Sequence, residues 1–304
     1  MSAENDEEKS RCANCGASEG EDIKLKTCTG CKSVKYCGVK CQKEHRPKHK
    51  RSCKKGAAEL YDEILFKQPE CSHLGDCPIC FLPLPVGVDE GSPTLHCCSK
   101  TLCFACHYSN VKREREEGTD HVCPFCRAPK PENCQELEDG WRDRAESNDP
   151  PAIRELGTKH QENGDYRNAF KYFSKSAALG DTTAIADLGM MYMNGQGVER
   201  DVSKAINLLE KASIAGHPVA RCYVGGFDWN NGRKERAVKH WKISSKLGDI
   251  QSMSYLEMAC DFGFINKDDF AAALREHQAA VEAMKSPMRT FVAEMFDSLE
   301  REDY

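Results

Sequence analysis

The stretch "LGMMYMNGQGVERDVSKAINLLEKASIAGH", Leu188–His217, decides the fold of the larger part of the chain. Apolar residues lie at helical spacing on both sides of a break at Gly195–Gly197, and the stretch closes on Gly216 and His217. The pattern recurs. Ala184-x3-Leu188-Gly189 has counterparts in Ala152-x3-Leu156-Gly157 and, more loosely, Ala220-x3-Val224-Gly225, a period of 32–36 residues. The segments "KSAALGD", "KASIAGH" and "SSKLGD" place Gly180, Gly216 and Gly248 at matching positions. Upstream, "NDPPAIRELG" reads as a helix start. Asp149 is its cap, and prolines fill the first turn, where a missing amide is tolerated.

These units resemble the Sel-like repeat, a relative of the tetratricopeptide repeat. The resemblance implies two antiparallel helices per unit over residues 148–285, stacked into a right-handed α-solenoid with a concave face for protein partners. Small Ala and Gly residues permit close helix contact, and Gly195 and Gly197 shape the loop. The first and third units lack the Gly-x-Gly-Val insertion, and a degenerate fourth near 250–285 is expected to cap the stack. Residues 286–304 are expected to add a helix or a tail. Trp229, Trp241, Tyr192 and Tyr223 are candidate anchors for a partner, although aromatics at helical spacing are more often core. His160, His217 and His240 have no acid or nucleophile pattern beside them, so this half offers no catalytic constellation.

Before residue 131 the composition is different. The chain has 304 residues and 19 cysteines, and 16 of these precede residue 127. Residues 1–10, "MSAENDEEKS", are acidic and lack an apolar core, so they read as a disordered segment and not as a secretory signal. With no run of about 18 apolar residues, neither a transmembrane helix nor a membrane partner is expected. Such a chain belongs in a reducing intracellular compartment, cytoplasmic or nuclear, where thiols bind metal in preference to forming disulfides. The net charge of −5 argues against nucleic acid as the partner of the whole protein.

Residues 11–55 carry Cys12-x2-Cys15, Cys28-x2-Cys31, Cys37, Cys41, His49 and Cys53. Zinc takes four ligands in a closed structural site, so eight thiol and imidazole donors fit two ions. The segment has too few apolar residues for its own core, and metal binding would supply its folding free energy. "CANC", "CTGCKSVKYCGVKCQKEH" and "HKRSC" resemble the MYND zinc finger. That family implies a cross-braced pair of sites, with Cys12, Cys15, Cys37 and Cys41 on one zinc and Cys28, Cys31, His49 and Cys53 on the other. His45 is the competing imidazole. Arg46 stands where the family usually has a tryptophan, a departure on its peptide-binding face. The lysines and arginines of residues 40–55 read as a solvated face that offsets thiolate charge, with a surface for nucleic acid or an acidic peptide as the alternative. Residues 56–70 read as a short amphipathic linker helix with Leu60, Tyr61, Ile64 and Leu65 at helical spacing.

Residues 71–130 repeat the arrangement. Cys77-x2-Cys80, Cys97-Cys98, Cys103-x2-Cys106 and Cys123-x2-Cys126 again make eight donors for two zinc ions, four in the chain. "CPIC", "LCFAC" and "CPFCRAPKP" resemble a RING-type finger. The family implies one site from Cys77, Cys80, Cys103 and Cys106, and another from Cys123, Cys126, Cys98 and either Cys97 or His96. Cys97 is the softer donor, whereas His96 relaxes the local geometry. Lys100 stands where the commonest pattern has a histidine. Cys71 reads as a free thiol, and His73, His107 and His121 as surface or supporting histidines. In this family the finger recruits a ubiquitin-conjugating enzyme and holds its thioester-linked ubiquitin in a reactive conformation, which is catalysis by positioning. Ile79, Pro124 and Arg127 match the family's contact positions.

The expected fold is multidomain: two small cross-braced zinc-binding modules followed by an all-α solenoid of helix-turn-helix repeats. The expected function is a RING-type ubiquitin ligase. Its conjugating enzyme would bind the second module, and protein partners the MYND finger and the repeats. The alternative is a non-enzymatic zinc-dependent scaffold or transcriptional adaptor.

Overall fold

The computed structural model describes residues 11–86, 92–119 and 122–302. Residues 1–10 and His121, for which the sequence raised expectations, lie outside the described residues. The chain forms two compact units, residues 1–67 and 68–304.

In the first unit a two-residue hairpin pairs β1 (Lys26–Thr27) with β2 (Lys35–Tyr36) in antiparallel register, Lys26 opposite Tyr36. The helix α1 (Val39–Leu65) follows. At about 1.5 Å per residue its 27 residues span about 40 Å. The sequence predicts a separate helix over 56–70. Instead the finger's helix runs through Gly56 without a break. A side chain there would meet Cys31 Cβ at 3.1 Å, so the glycine lets α1 pass close beneath the Cys28–Cys31 turn.

The second unit begins with the second Cys-rich module, whose helix is α2 (Phe104–Glu117). Ten helices follow: α3 (Cys134–Glu146), α4 (Pro150–Glu162), α5 (Tyr166–Ala178), α6 (Thr182–Asn194), α7 (Val202–Ile214), α8 (Pro218–Asn230), α9 (Lys234–Ser245), α10 (Ile250–Asp261), α11 (Lys267–Ala283) and α12 (Pro287–Glu302). The helices α4 to α11 pack as successive pairs, α4 on α5, α6 on α7, α8 on α9 and α10 on α11, and each pair rests on the next. This is an all-helical solenoid. Asp165, Asp181, Asp201 and Asp249 each accept a backbone N–H from three residues on, which satisfies an orphan amide of the helix start. Asp149 departs from its expected role. It sits at the cap position, but its carboxylate pairs with Arg144 and not with the helix amides.

Within the first three pairs the first helix presents a glycine to the second, whereas α10 has none. A side chain at Gly157 would meet Phe173 at 2.8 Å, one at Gly189 would meet Leu209 at 3.0 Å, and one at Gly225 would meet Trp241 at 2.5 Å. Phe173, Leu209 and Trp241 are fully buried, so the recurrent glycine is the socket for a large core side chain in each of these three pairs. Of the expected anchors, Trp241 is core, Trp229 packs on it at 5.3 Å, and Tyr192 packs edge-on against Phe170. Tyr223 is exposed. His240 is buried, His160 pairs with Asp165, and His217 stacks on His73.

The second module touches helices along much of the stack. His73 Nε2 lies 3.1 Å from Thr183 Oγ1 at the start of α6, and the His73 N–H donates to Gly216 O at 3.0 Å. Arg154 of α4, held by Glu155 and Asp181, donates to Thr94. Arg144 of α3 and Arg289 of α12 complete the contacts. Among the described residues, no helix is long and apolar enough to cross a membrane.

Candidate metal centres

Five turns share one geometry. In each, the residue four after the start donates its N–H to the carbonyl of the first and adopts a left-handed φ. Gly16 donates to Cys12, Lys32 to Cys28, Phe81 to Cys77, Ser99 to Leu95 and Arg127 to Cys123, at 2.7–3.0 Å. The first residue's own N–H closes the turn onto a carbonyl five or six residues on, such as Cys77 to Leu82 and Cys123 to Ala128. Such a knuckle brings side chains at positions i and i+3 to one side, which is why a C-x2-C spacing makes half of a metal site. Four of the five start with cysteine. The fifth starts with Leu95 and ends with Cys98, so its missing thiol must come from elsewhere.

The structure gathers the predicted donors into four groups: Cys12, Cys15, Cys37 and Cys41; Cys28, Cys31, His49 and Cys53; Cys77, Cys80, Cys103 and Cys106; Cys97, Cys98, Cys123 and Cys126. The ligand atoms of each group lie within 4.8 Å of one another. The first three groups share one plan. A knuckle supplies two donors, and the start or body of a helix supplies two more at i, i+4 or i, i+3 spacing. The fourth joins the Cys123 knuckle to the Leu95 knuckle, and Cys97 takes the place that Leu95 leaves. His96 stands outside the group. Its ring lies so close to α3 that a side chain at Gly140 would meet it at 2.6 Å, and burial lowers its pKa.

Sulfur separations test the fit. A tetrahedral ion with bonds of about 2.3 Å sets ligand sulfurs about 3.8 Å apart. Cys15–Cys37 is 3.6 Å, Cys28–Cys53 3.7 Å, Cys80–Cys103 3.8 Å and Cys98–Cys123 3.7 Å. A disulfide needs about 2.0 Å, and all the described cysteines are free. His49 turns Nε2 toward Cys31 at 3.2 Å while Nδ1 meets Ser52 Oγ at 3.0 Å, the outer contact that orients a ligating imidazole. His45 stacks on His49 and reaches Tyr36 OH at 3.1 Å, so it supports the group without joining it. The donor sets and their spacing suit zinc.

Electrostatics favour the thiolate at the first cysteine of three knuckles, Cys12, Cys77 and Cys123. Burial opposes ionisation, but backbone N–H groups of the turn outweigh it. They hold Cys12 and Cys77 at about 6 and Cys123 at about 7, against 9 for a free thiol. Cys37 and Cys53 lie at about 12 and about 11. Thiol neighbours are the largest cause at Cys37, and at Cys53 they add to burial. Without an ion the thiols of a group thus cannot all ionise, and metal binding must release protons.

Two arginines escaped the sequence reading. Arg144 donates to Ser99 Oγ at 2.9 Å and to Cys97 O at 3.2 Å, clamping the incomplete knuckle. Arg289 donates to Cys80 Sγ at 3.2 Å, Leu82 O at 3.3 Å and Pro83 O at 2.7 Å, clamping the Cys77 knuckle. Of the expected conjugating-enzyme contacts, Ile79 is 39% exposed and Arg127 is exposed, with its backbone fixed as the left-handed residue of a knuckle. Pro124 lines a 580 Å³ groove together with Val111, Leu137 and Trp141, and Ile79 is not among the groove's lining residues.

Comparison with known proteins identifies the first module and the start of the solenoid. Residues 12–53 match the MYND finger, and residues 150–181 and 182–217 each match the Sel1 repeat. DAP3-binding cell death enhancer 1 of mouse is 34% identical over 182 residues, 47% of this chain and 36% of the relative. Its rat counterpart is 32% identical over 186 residues, 48% of this chain and 36% of the relative. The matched segment therefore spans about a third of the length of these relatives. Among solved structures, a Sel1 repeat protein from Oxalobacter formigenes aligns at TM-score 0.44 with 25% identity, covering 59% of this chain and 74% of that one. The Escherichia coli antigen c5321 aligns at TM-score 0.40 with 19% identity, covering 62% of this chain and 39% of that one. The chain thus carries a MYND finger at residues 12–53 and Sel1 repeats at residues 150–217.

Proposed function

We propose that the chain is a zinc-dependent adaptor that binds protein partners through its MYND finger and its solenoid, with four structural zinc ions, two in each Cys-rich module. The observation that carries this reading is the set of four four-donor groups at tetrahedral sulfur spacing. All four spend their full coordination on protein side chains, which is the arrangement of a structural site and leaves no position open for a substrate. MYND fingers and Sel1 repeats are protein-interaction modules, and the mouse and rat relatives are named for binding DAP3. Metal analysis of the purified chain tests the premise. About four zincs per chain are expected, and about two would remove one module from the reading.

A second reading is ubiquitin ligation through the RING-like module, with the exposed Ile79 and Arg127 as contacts for a conjugating enzyme. Its test is autoubiquitination with a panel of conjugating enzymes. Loss of chains in Ile79→Ala and Arg127→Ala with zinc retained supports it. Silence across the panel leaves the adaptor alone.

A further inference from the structure

The helix α12 does not extend the solenoid. It turns back after α11 and lies against α2 of the second Cys-rich module. Ser286 caps its start by accepting the Arg289 N–H at 3.2 Å. In its first turn Arg289 spreads one guanidinium over the Cys77 knuckle. Nη1 donates to Pro83 O and to Met284 O, both at 2.7 Å, while Nη2 donates to Cys80 Sγ and Leu82 O. Three residues on, Val292 is 4% exposed and buried in a cluster with Cys77, Leu84, Cys103 and Ala105, to which Phe104 and Tyr108 add. One helix, more than 200 residues downstream of the knuckle, thus shares a buried cluster with two of the four donors and hydrogen-bonds a third.

We infer that α12 is the outer wall of the Cys77–Cys80–Cys103–Cys106 centre and that Arg289 is its positioning residue, so that zinc loading and docking of the C-terminal helix are a single equilibrium. The inference rests on the reading that this centre holds zinc. Four thiolates around a divalent cation leave a net charge of about −2, and a donor aimed at a ligand sulfur offsets part of it. Outer contacts of this kind fix ligand orientation and commonly change metal affinity ten- to a hundredfold. Linkage makes the effect mutual: whatever α12 adds to the loaded centre, the loaded centre adds to docked α12. Stripping the ion removes the tie that holds the four sulfurs together and loosens the knuckle on which both Arg289 and Val292 rest. The latch therefore opens from either end.

The test uses the full zinc-loaded chain, with release followed by a chromogenic chelator and hydrogen exchange read at residues 77–82 and 287–295. In Arg289→Ala one zinc of four should leave roughly tenfold faster, with faster exchange in both segments. Arg289→Lys, which keeps the charge but not the fork, should fall between. Met288→Ala, an exposed position on the same helix, should behave as wild type. Chelation of wild type should expose α12 while helices α4–α9 stay protected. If a fully loaded Arg289→Ala releases all its zinc at wild-type rates, or α12 stays protected in stripped protein, the inference is overturned and the zinc reading stands. If wild type carries no zinc at this centre, both fall together. Circular dichroism of each variant separates a local effect from global misfolding.

Discussion

Replacing Cys97 and His96 one at a time separates the two ways of completing the fourth centre. The geometry assigns the role to Cys97, because the Leu95 knuckle lacks a thiol at its first position and Cys97 joins Cys98, Cys123 and Cys126. His96 instead packs against Gly140, which has no side chain to push it away. Structural zinc sites are worth about 10–16 kcal/mol in small domains at neutral pH, so one donor of four carries about 3 kcal/mol. That is about a hundredfold in affinity at that centre. Cys97→Ser should therefore hold three zincs firmly and yield the fourth to a chelator that wild type resists. His96→Ala should keep all four and lose about 1–3 kcal/mol of stability from the cavity beside α3. Competition against a chelator of known affinity, with zinc counted by atomic emission, reads both. If His96→Ala sheds a zinc while Cys97→Ser keeps its full complement, the knuckle argument is wrong.

Other expectations follow from the same contacts. Gly225→Ala should lower the melting temperature. The new methyl would lie 2.5 Å from Trp241 Nε1, and overpacking of about 1–3 kcal/mol outweighs about 1 kcal/mol of helix propensity. Gly189→Ala should destabilise less, since its methyl would meet the buried Leu209 Cγ at 3.0 Å and the Ala205 carbonyl oxygen at 3.3 Å. Burial pushes His73 down to about 4 and His217 to about 3, from an ordinary value near 6.5. Their folded pKa values lie below the unfolded ones, so their contribution is full above pH 6.5 and is lost as pH falls toward 4. At pH 5 the loss is at most about 2 kcal/mol for each. His73→Phe, which keeps the stacked ring, should flatten that limb in acid denaturation profiles compared with wild type. An unchanged slope would mean the pair does not carry it.

How legible each feature was in the sequence depended on the range of the contact that makes it. C-x2-C pairs follow from the local hydrogen bonds of a knuckle, and Cys37/Cys41 and His49/Cys53 from one turn of helix, so spacing marked the pairs, while the family resemblance implied which pairs share an ion. The solenoid's glycines were equally legible, because each must clear a large side chain 16 or 20 residues on. The role of Leu95 had a signal that is easy to overlook: counting back three from Cys98 lands on an apolar residue where a ligand belongs. Gly56 misled in the other direction, since a glycine needed for close approach looks like a helix breaker. Arg144 and Arg289 left no local trace, for their partners lie 45 and more than 200 residues away.

Those long-range contacts change what kind of solenoid this is. Repeat arrays are quasi-one-dimensional, each unit touching only its neighbours, so they can unfold piecemeal from their ends. Here the second Cys-rich module meets α3 through Arg144, α4 through Arg154, α6 through Thr183, the α7–α8 turn through Gly216 and His217, and α12 through Arg289. It is a strut laid along the stack, tying repeats that would otherwise communicate only in series. If its own fold depends on zinc, so does the cooperativity of the helices it braces. Loaded protein should then unfold residues 68–304 in one thermal transition, with far-ultraviolet dichroism and Trp241 fluorescence coincident. Zinc-stripped protein should retain most of its helix yet show those two probes separating, because the repeat around Trp241 no longer shares a brace with the α4–α5 pair. Coincident transitions in both states would show that the module only decorates the solenoid.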